Sequence, residues 1–493
     1  MQSMNSQPDE LTRPQALQAA GPASATPAGP AEMALICLLV AAVMALACLF
    51  GVWTRLSGQL AVFWPANALL LGLFLRFPRL DIVAGWVGAV MGHLLSGYLV
   101  GDALPISVLL TLTNFASVVC GYLLLAQPWG ADARRLHGVP GVLVLLGCVG
   151  MASAAGGLAG ALVGPVAFGG TALDSAQAWF VSELVNYITI LPAVLSLPSQ
   201  QHREIVRQWR ANTPRLRRIA PLIGLLLSLA GAVAVGGPGA MAFPVPALLW
   251  CGMRYGVFST ALLTLLTTTW TLVAISKGIL DTAVPIETPD MLMSVRLGVT
   301  LIALSPIAVA SAMAANRVLM ARLLHMAEHD PLTGTMNRRA FAEHAGGALR
   351  RARASGAAVG LLVLDIDHFK SVNDNHGHSV GDQVITLVAE IAGQQLPPGP
   401  RLLGRLGGEE FAVLLPHCSR AQTQEVAERM RQACAQMPVD LGQGKAAAIT
   451  VSIGACVSAH ATHKLDRLLQ LADRALYEAK NAGRNRVVLC EAD

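Results

Sequence analysis

Long apolar runs dominate the first two thirds of the chain and constrain its fold more than any other feature. A helix that spans a membrane needs about 20 mostly apolar residues, and ten runs approach or exceed that length. They cover residues 33–53, 59–76, 81–101, 103–126, 138–164, 176–197, 219–236, 239–252, 258–276 and 292–316. The two runs around Gly236-Gly237-Pro238-Gly239 form either one broken hairpin or two short spans, so we expect eight to ten membrane helices.

Charged residues are segregated along the chain. Residues 33–316 hold 23 Asp, Glu, Lys and Arg in 284 positions, whereas residues 317–493 hold 38 in 177. Only the second density is ordinary for a soluble domain. The sequence therefore predicts an integral membrane domain over 33–316, a connector over 317–329 and a soluble domain over 330–493. The tail 1–32 is rich in Pro, Ala, Ser and Gln, and we expect it to be disordered.

Arginines collect after the even-numbered apolar runs. They are Arg76, Arg79, Arg134, Arg135, Arg203, Arg207, Arg210, Arg215, Arg217, Arg218 and Arg254. Because positively charged loops face the cytoplasm, ten spans with both termini inside satisfy this pattern and leave the soluble half cytoplasmic. The net charge is only +5, and no basic stripe is present, so no nucleic-acid partner is expected.

Six polar residues interrupt the apolar runs: Asn67, His93, Asn114, Glu183, Asn186 and Arg296. Polar groups at membrane depth either form hydrogen bonds between helices or belong to functional sites. Glu183 and Asn186 are spaced i,i+3 and share a helix face. That face could line a ligand cavity or a proton-sensitive site.

Three segments of the membrane half carry a family resemblance. They are Phe63-Trp64-Pro65-Ala66-Asn67, the stretch Trp179–Asn186 with Leu191-Pro192, and Pro246–Trp250 with Arg254-Tyr255-Gly256. Together they resemble the multi-pass membrane-associated sensor domain that precedes signalling output domains in bacteria. The resemblance implies a bacterial inner-membrane location, contact with the lipid bilayer and a sensor ligand whose identity the sequence does not give.

The connector has apolar residues near helical spacing and no Gly or Pro before Pro331. We expect a continuous helix from the last span. It acts either as a plain stalk or as a segment that pairs with a second copy of the chain.

The soluble half alternates helix and strand patterns and predicts one α/β domain. Helices are predicted over 337–353, 381–395, 420–436 and 464–481, and strands over 357–365, 401–406, 411–415, 446–457 and 486–489.

Three local features of this domain carry chemistry. A buried strand ends in Asp365-Ile366-Asp367, and carboxylates at a strand exit suit Mg²⁺. Two strands flank Gly407-Gly408-Glu409-Glu410, where the glycines permit a tight turn beside two acids. Lys370, Lys480 and Arg484 could neutralise a polyphosphate. Together these features suit phosphoryl or nucleotidyl transfer, which depends on positioning and charge neutralisation.

The same features recur within a longer ordered series. It comprises Asp330–Arg339, Asp365–Asp374, Gly377-His378, Gly381-Asp382, Gly407–Phe411, Ala472–Tyr477, Lys480 and Gly483–Arg486. This series resembles the GGDEF-type diguanylate cyclases across the whole of 330–490. The expected fold is thus a multi-pass α-helical membrane domain plus a C-terminal α/β nucleotidyl-cyclase domain of the palm-like type.

The resemblance implies a reaction and residue roles. A membrane-anchored cyclase would condense two GTP into cyclic di-GMP and two pyrophosphates, and the membrane sensor domain would regulate it. Mg²⁺ or Mn²⁺, two ions per site, would be held by Asp365, the Ile366 carbonyl and Glu409. Glu409 and Glu410 would be the catalytic carboxylates. Asn373, His378 and Asp382 would bind guanine, and Lys370, Lys480 and Arg484 the phosphates, while Gly407 and Gly408 leave room for the substrate. Since each domain binds one GTP, a homodimer is implied.

One departure from the family concerns product inhibition. Many such cyclases carry an inhibitory RxxD motif, and its Arg and Asp positions hold Pro398 and Arg401 here. We therefore expect no feedback inhibition at that site. Two other readings of the chain stay open: a membrane receptor whose GGEEF domain binds GTP without turnover, and a transporter with a regulatory cyclase-like tail.

Overall fold

The computed structural model describes residues 29–54, 61–198, 215–282, 289–399, 402–440 and 446–492. The chain divides into two compact units, Met1–Arg317 and Val318–Asp493. Outside the described residues lie most of the tail predicted as disordered and, among the arginines discussed above, Arg203, Arg207, Arg210 and Arg401.

The first unit is built from helices. They are α1 (Pro30–Trp53), α2 (Ala66–Arg76), α3 (Val83–Val100), α4 (Leu104–Leu125), the short α5 (Ala131–Arg135), α6 (Gly138–Ala167), α7 (Ala172–Leu195), α8 (Arg215–Val235), α9 (Pro244–Arg254), α10 (Val257–Ser276) and α11 (Pro289–Glu328). In the part of the chain that is described, eight of them are long and apolar enough to cross a membrane. The predicted class, a multi-pass α-helical membrane domain, is confirmed.

Prolines set three helix boundaries that differ from the predicted runs. α1 begins at Pro30, so the last residues of the predicted tail are helical. α2 begins only after Pro65 and has 11 residues, because a proline disfavours helical geometry in the residue before it. α9 begins at Pro244 and also has 11 residues, since proline is favoured in the first turn of a helix. These two helices are shorter than a membrane-spanning helix requires.

Small residues let α6 and α7 pack closely. A Cβ atom on Gly160 of α6 would lie 2.7 Å from the ring of Trp179 on α7, so only glycine fits there. Close approach through small residues is a common way for membrane helices to associate. The contact places Glu183 of α7 against Gly156 of α6, in the interior of the unit.

The second unit is an α/β domain. Beyond the end of α11, its elements are β1 (Met336–Asn337), α12 (Arg338–Ser355), β2 (Val359–Ile366), α13 (Phe369–His376), α14 (His378–Gln394), β3 (Leu402–Gly407), β4 (Glu410–Pro416), α15 (Arg420–Gln436), β5 (Pro438–Asp440), β6 (Ala446–Ala448), β7 (Val451–Ser458), α16 (Leu465–Asn481) and β8 (Val487–Glu491). The predicted α/β class of this half is confirmed.

Six strands form the main sheet in the order β1-β3-β4-β2-β7-β8. β2 lies at the centre and pairs antiparallel with both β4 and β7. All residues of β2 and β7 are buried, as expected for strands covered on both faces. α16 packs directly on β7, because a Cβ on Gly454 would collide with the backbone of Ala472 and Leu476. This packing fixes the end of α16 relative to the centre of the sheet.

Three elements differ from the sequence prediction. α13 was not predicted, because its eight residues, mostly polar, are too few to show helical periodicity. α14 begins at His378, three residues before the predicted start. The predicted strand 446–457 is two strands, since β6 pairs with β5 in a separate two-stranded sheet before β7 joins the main one.

Candidate active site

The end of β2 places Asp365 beside two other strands. In the antiparallel register Asp365 lies opposite Glu410 of β4 and opposite Ser452 of β7. Two like charges directly opposite each other across a pair of strands are destabilising. The fold nevertheless places Asp365 and Glu410 opposite each other, which favours a functional role for this pair.

The Gly-Gly pair forms the turn between β3 and β4. Gly408 has a φ of +52°, a left-handed conformation that costs glycine little. Glu409 follows in the turn and is half-buried, and Glu410 opens β4. The hairpin therefore carries both glutamates to the edge where β2 ends.

Lys480 supplies the cation of this acidic group. Its Nζ lies 2.7 Å from Oδ2 of Asp365, whose side chain is only 8% exposed. Burial raises the pKa of Asp365, although the ion pair with Lys480 opposes that shift. Partial burial and the negative charge of Asp365 raise the pKa of Glu410. Additional positive charge would favour the ionised forms of these acids.

The position of Asp367 after β2 suggested a carboxylate available to Mg²⁺, but in the structure this carboxylate is engaged in hydrogen bonds within the domain. Its carboxylate accepts hydrogen bonds from the Thr450 hydroxyl at 2.8 Å, the Ser452 hydroxyl at 2.7 Å and the backbone N–H of Asn485 at 3.0 Å. These bonds occupy the carboxylate and anchor the turn after α16. Arg484 lies in that turn with a φ of +63° and an exposed side chain. The structure therefore places Arg484 beyond the end of α16, and not on the helix with Lys480.

Arg405 connects the glycine turn to the start of the domain. Its Nε donates to the Gly408 carbonyl at 2.8 Å, and its Nη1 lies 3.0 Å from Oδ1 of Asp330. Burial acts to raise the pKa of Asp330, but the hydrogen bonds from Thr333 and Arg405 outweigh it and hold that pKa below its usual range. The sequence motifs included Asp330 but not Arg405, which lies in the predicted strand 401–406, and local pattern did not show that the two side chains meet.

The residues expected at guanine lie on α13 and α14. Asn373 is on α13, with its Oδ1 buried and without a hydrogen-bond partner. His378 and Asp382 are exposed at the start of α14, and Lys370 is exposed on α13. Within the described residues, no hydrogen bond joins these four side chains to the carboxylates around Asp365. An N–H donor of a bound base would satisfy the buried Asn373 oxygen.

The carboxylates suit a hard divalent cation that keeps other ligands. Over the described ranges, no group of three or more His, Cys, Asp or Glu side chains is clustered as a complete metal site. Mg²⁺ is typically held by one or two carboxylates together with water and substrate phosphates. Asp365 and its acidic neighbours fit that pattern.

Comparisons with known proteins cover both halves of the chain. The family described as "Diguanylate cyclase, GGDEF domain" matches residues 327–486. "Probable diguanylate cyclase DgcF" of Escherichia coli O157:H7 is 30% identical over 462 residues, which are 90% of this chain and 93% of the relative. Its counterpart in E. coli K12 is 33% identical over 315 residues, 62% of this chain and 95% of the relative.

Among solved structures, the GGDEF domain of DgcB from Caulobacter crescentus, crystallised in complex with c-di-GMP, is 38% identical. The match covers 33% of this chain and 93% of the DgcB chain, with a TM-score of 0.32. The first DgcF relative carries the assignment, because its similarity extends over nearly the whole of both chains. The chain belongs to the GGDEF family of diguanylate cyclases.

Proposed function

We propose that this protein condenses two GTP molecules into cyclic di-GMP and releases two pyrophosphates, at the edge formed by the end of β2 and the β3–β4 turn. In each of the two steps a 3′-hydroxyl oxygen attacks an α-phosphorus and pyrophosphate leaves. The observation that supports it most directly is the juxtaposition of Asp365 with the GGEEF hairpin and Lys480.

Asp365 and Glu409, with the Ile366 carbonyl, are the residues that would hold two Mg²⁺ or Mn²⁺ ions. When bound, such ions activate the hydroxyl and stabilise charge on the α-phosphate. The raised pKa values of Asp365 and Glu410 support the fit, because burial and, after it, the neighbouring acids disfavour the ionised carboxylates. A divalent cation favours the ionised carboxylates.

The chain's own residues bind and orient the nucleotide. Asn373 and Asp382 accept hydrogen bonds from the guanine N–H groups, and His378 lies at the same edge. Lys370, Lys480 and Arg484 neutralise the phosphates, which requires Lys480 to share its charge between Asp365 and the substrate. Glu409 accepts the proton of the attacking hydroxyl, and Glu410 stands beside it as the second acid. Gly407 and Gly408 keep the turn free of side chains where the ribose-phosphate lies.

A homodimer would bring the two GTP-loaded domains together. The end of α11 supports this proposal, because it presents apolar side chains to solvent at helical spacing. Leu319, Leu323 and Met326 are 55%, 48% and 66% exposed and follow an i, i+4, i+7 pattern.

A Leu323→Asp variant is expected to lose at least tenfold in specific activity, while Arg322→Ala is the matched control on the same helix. Equal activity of the two variants would argue against pairing through this segment.

The membrane unit is proposed to anchor the enzyme in a bacterial inner membrane and to regulate it, with the cyclase domain in the cytoplasm. The proposed reaction supports this orientation, because its substrate, GTP, is a cytoplasmic nucleotide. Regulation would act through the connector 317–329, by changing how often the two sites meet. Variants cross-linked in parallel along the connector should change the cyclase rate without changing GTP affinity, and a parallel change in both would contradict this mechanism.

The reaction is tested by incubating the full-length protein in detergent with GTP and Mg²⁺ and measuring cyclic di-GMP by chromatography. Glu409→Gln and Asp365→Asn should each lose at least a hundredfold in rate. Glu425→Gln, an exposed acid on α15, serves as the control and should keep wild-type activity. If wild type binds GTP without product, the chain is a receptor with an inactive domain.

Product inhibition is a separate test. Because the inhibitory Arg and Asp are replaced by Pro398 and Arg401, added cyclic di-GMP should not lower the cyclase rate through binding at that site.

A further inference from the structure

The membrane unit encloses a polar cavity that the cyclase chemistry does not use. Its volume is about 70 Å³, which is room for several water molecules or a molecule of a few heavy atoms. Helices α3, α4 and α7 and the segment before α2 supply its walls. The residues that matter here are Trp64, His93, Ser107, Phe168, Trp179 and Glu183.

Four polar atoms on this wall are buried without a hydrogen-bond partner. They are Nε1 of Trp64, Nε2 of His93, Oγ of Ser107 and Oε2 of Glu183. Buried polar groups are nearly always paired with protein or ordered water, and leaving one unpaired costs about 1–3 kcal/mol. Four unpaired atoms around one cavity indicate an occupant that carries several polar groups.

Three of the four atoms are hydrogen-bond acceptors. His93 Nδ1 lies 2.9 Å from the Ala89 carbonyl; since a carbonyl only accepts, this nitrogen carries the hydrogen, and Nε2 of the neutral ring is an acceptor. Glu183 accepts from Asn67 through Oε1, which leaves Oε2 open. The Ser107 oxygen can also accept. The occupant must therefore be rich in donors.

The wall is acidic, because it carries the carboxyl groups of Glu183 and Asp102. Glu183 is 3% exposed, and no described lysine or arginine lies within ion-pair distance of it. The nearby Ser117 hydroxyl donates to the Asn114 carbonyl at 2.9 Å, and Oε2 of Glu183 is buried without a hydrogen-bond partner. Asp102, in the turn between α3 and α4, lines the same cavity, and the described lining residues include no lysine or arginine. A buried carboxylate is costly unless a cation accompanies it.

We infer that this cavity binds a small organic cation with a primary ammonium group. Such a group has three N–H donors, which match the three open acceptors, and its charge complements Glu183. The rings of Trp64, Trp179 and Phe168 suit its alkyl part and attract the cation through their faces. A hydroxyl on the ligand would accept from Trp64 Nε1. Cation binding in this cavity is independent of the proposed cyclase reaction.

Tryptophan fluorescence offers a direct binding assay. All eight tryptophans precede residue 271, so the signal reports on the membrane unit alone. The full-length protein in phosphatidylglycerol nanodiscs is titrated with ethanolammonium chloride at pH 7. We expect a saturable change in emission. Ethylene glycol, which replaces the ammonium with a hydroxyl, and acetate should give no saturable change.

Two variants locate the site. Glu183→Gln should weaken ethanolammonium binding at least tenfold, whereas Asp174→Asn, an exposed acid on the same helix, should bind like wild type. Ser107→Ala should weaken binding severalfold and serves if the Glu183 variant does not fold. Nanodiscs that contain phosphatidylethanolamine distinguish a lipid headgroup from a free amine, because a headgroup in the cavity would suppress the response to the soluble probe.

Several results would overturn the inference. They are the absence of a saturable response in wild type in both kinds of nanodisc, equal binding of ethylene glycol and ethanolammonium, and unchanged affinity in Glu183→Gln. Any of them would mean that the cavity holds water or a neutral molecule and that Glu183 has a structural role.

Discussion

Two buried carboxyl groups, one in each half of the protein, have opposite surroundings. Asp367 in the cyclase domain is 5% exposed and Glu183 in the membrane unit is 3% exposed. Asp367 accepts three hydrogen bonds, from the hydroxyls of Thr450 and Ser452 and from a backbone N–H. Glu183 accepts one from Asn67 and keeps an oxygen without a partner. Equal burial thus does not imply an equal role: one acid is fixed as a positioning group, and the other is open to a ligand.

The largest expected effect concerns a third buried acid, Asp365 of the cyclase domain, which is paired with Lys480. Lys480→Met removes the ammonium group 2.7 Å from Asp365, which is also a proposed phosphate ligand, so the cyclase rate should fall by about 10² to 10³. Lys464→Met, at the opposite end of α16, is the matched control and should keep the wild-type rate. A rate within threefold of wild type for Lys480→Met would show that the reaction does not need the Lys480 charge.

The next effect tests whether Asp367 is a positioning group. Asp367→Asn keeps the shape of the side chain but removes its charge, and it presents an N–H group to donors. We expect a loss of about 2–4 kcal/mol in the stability of the cyclase domain, measured by hydrogen exchange of the β7 and β8 amides in the full-length protein. Ser452→Ala should lose about 1 kcal/mol. A loss below 0.5 kcal/mol for Asp367→Asn, within roughly the range of surface substitutions, would contradict the assignment.

The Asp330–Arg405 pair provides a smaller effect with a defined pH dependence. The pKa of Asp330 is lower in the folded state, so its contribution is present above the unfolded pKa, near about 3.9, and is lost as pH falls through the folded pKa. Asp330→Asn should therefore be about 1 kcal/mol less stable than wild type at pH 7. Hydrogen exchange of β3 amides should show this difference shrinking below about pH 4. A difference that stays constant down to pH 3 would rule out this linkage.

The smallest effect is expected at Glu183. Glu183→Gln retains the oxygen that accepts from Asn67 and removes a buried ionisable group that has no ion-pair partner among the described residues. In the absence of an amine, the stability of the membrane unit should stay within about 0.5 kcal/mol of wild type or increase. Tryptophan emission during denaturation in SDS measures it. A loss of 2 kcal/mol or more would show that Glu183 is as structural as Asp367.

Much of the fold followed from local pattern. The apolar runs predicted the membrane helices, and the range 420–436 coincides with α15, because a Ser419 capping box marks its start. The class of the cyclase domain and the positions of β2 and β4 also followed, since continuous apolar runs indicate strands buried on both faces. Short elements such as α13 and β5 were missed, because tertiary contacts rather than periodicity stabilise them.

Contacts distant in sequence could not be predicted from local pattern. The sequence motifs named Asp365, Glu409 and Lys480 but did not place Lys480 on Asp365, 115 positions earlier in the printed sequence. The sequence pattern placed Asp367 beside Asp365 among carboxylates that suit Mg²⁺. Its hydroxyl partners are Thr450, just before β7, and Ser452 on β7, a strand that neighbours β2 only in the folded sheet. The cavity at Glu183 depends on which atoms lack partners, and that information exists only in three dimensions.

The unbroken pairing of β2 with β4 has an evolutionary consequence. Seven consecutive pairs run from Val359–Pro416 to Asp365–Glu410, and side chains alternate between the two faces along each strand. A substitution in β4 alters packing at one position, but the deletion of one residue between Glu410 and Pro416 would turn the acidic end of the strand to the opposite face. We therefore expect related chains to vary in the composition of this hairpin and in the length of their loops, but to keep the number of residues in β4, because the proposed chemistry depends on the position of its acidic end.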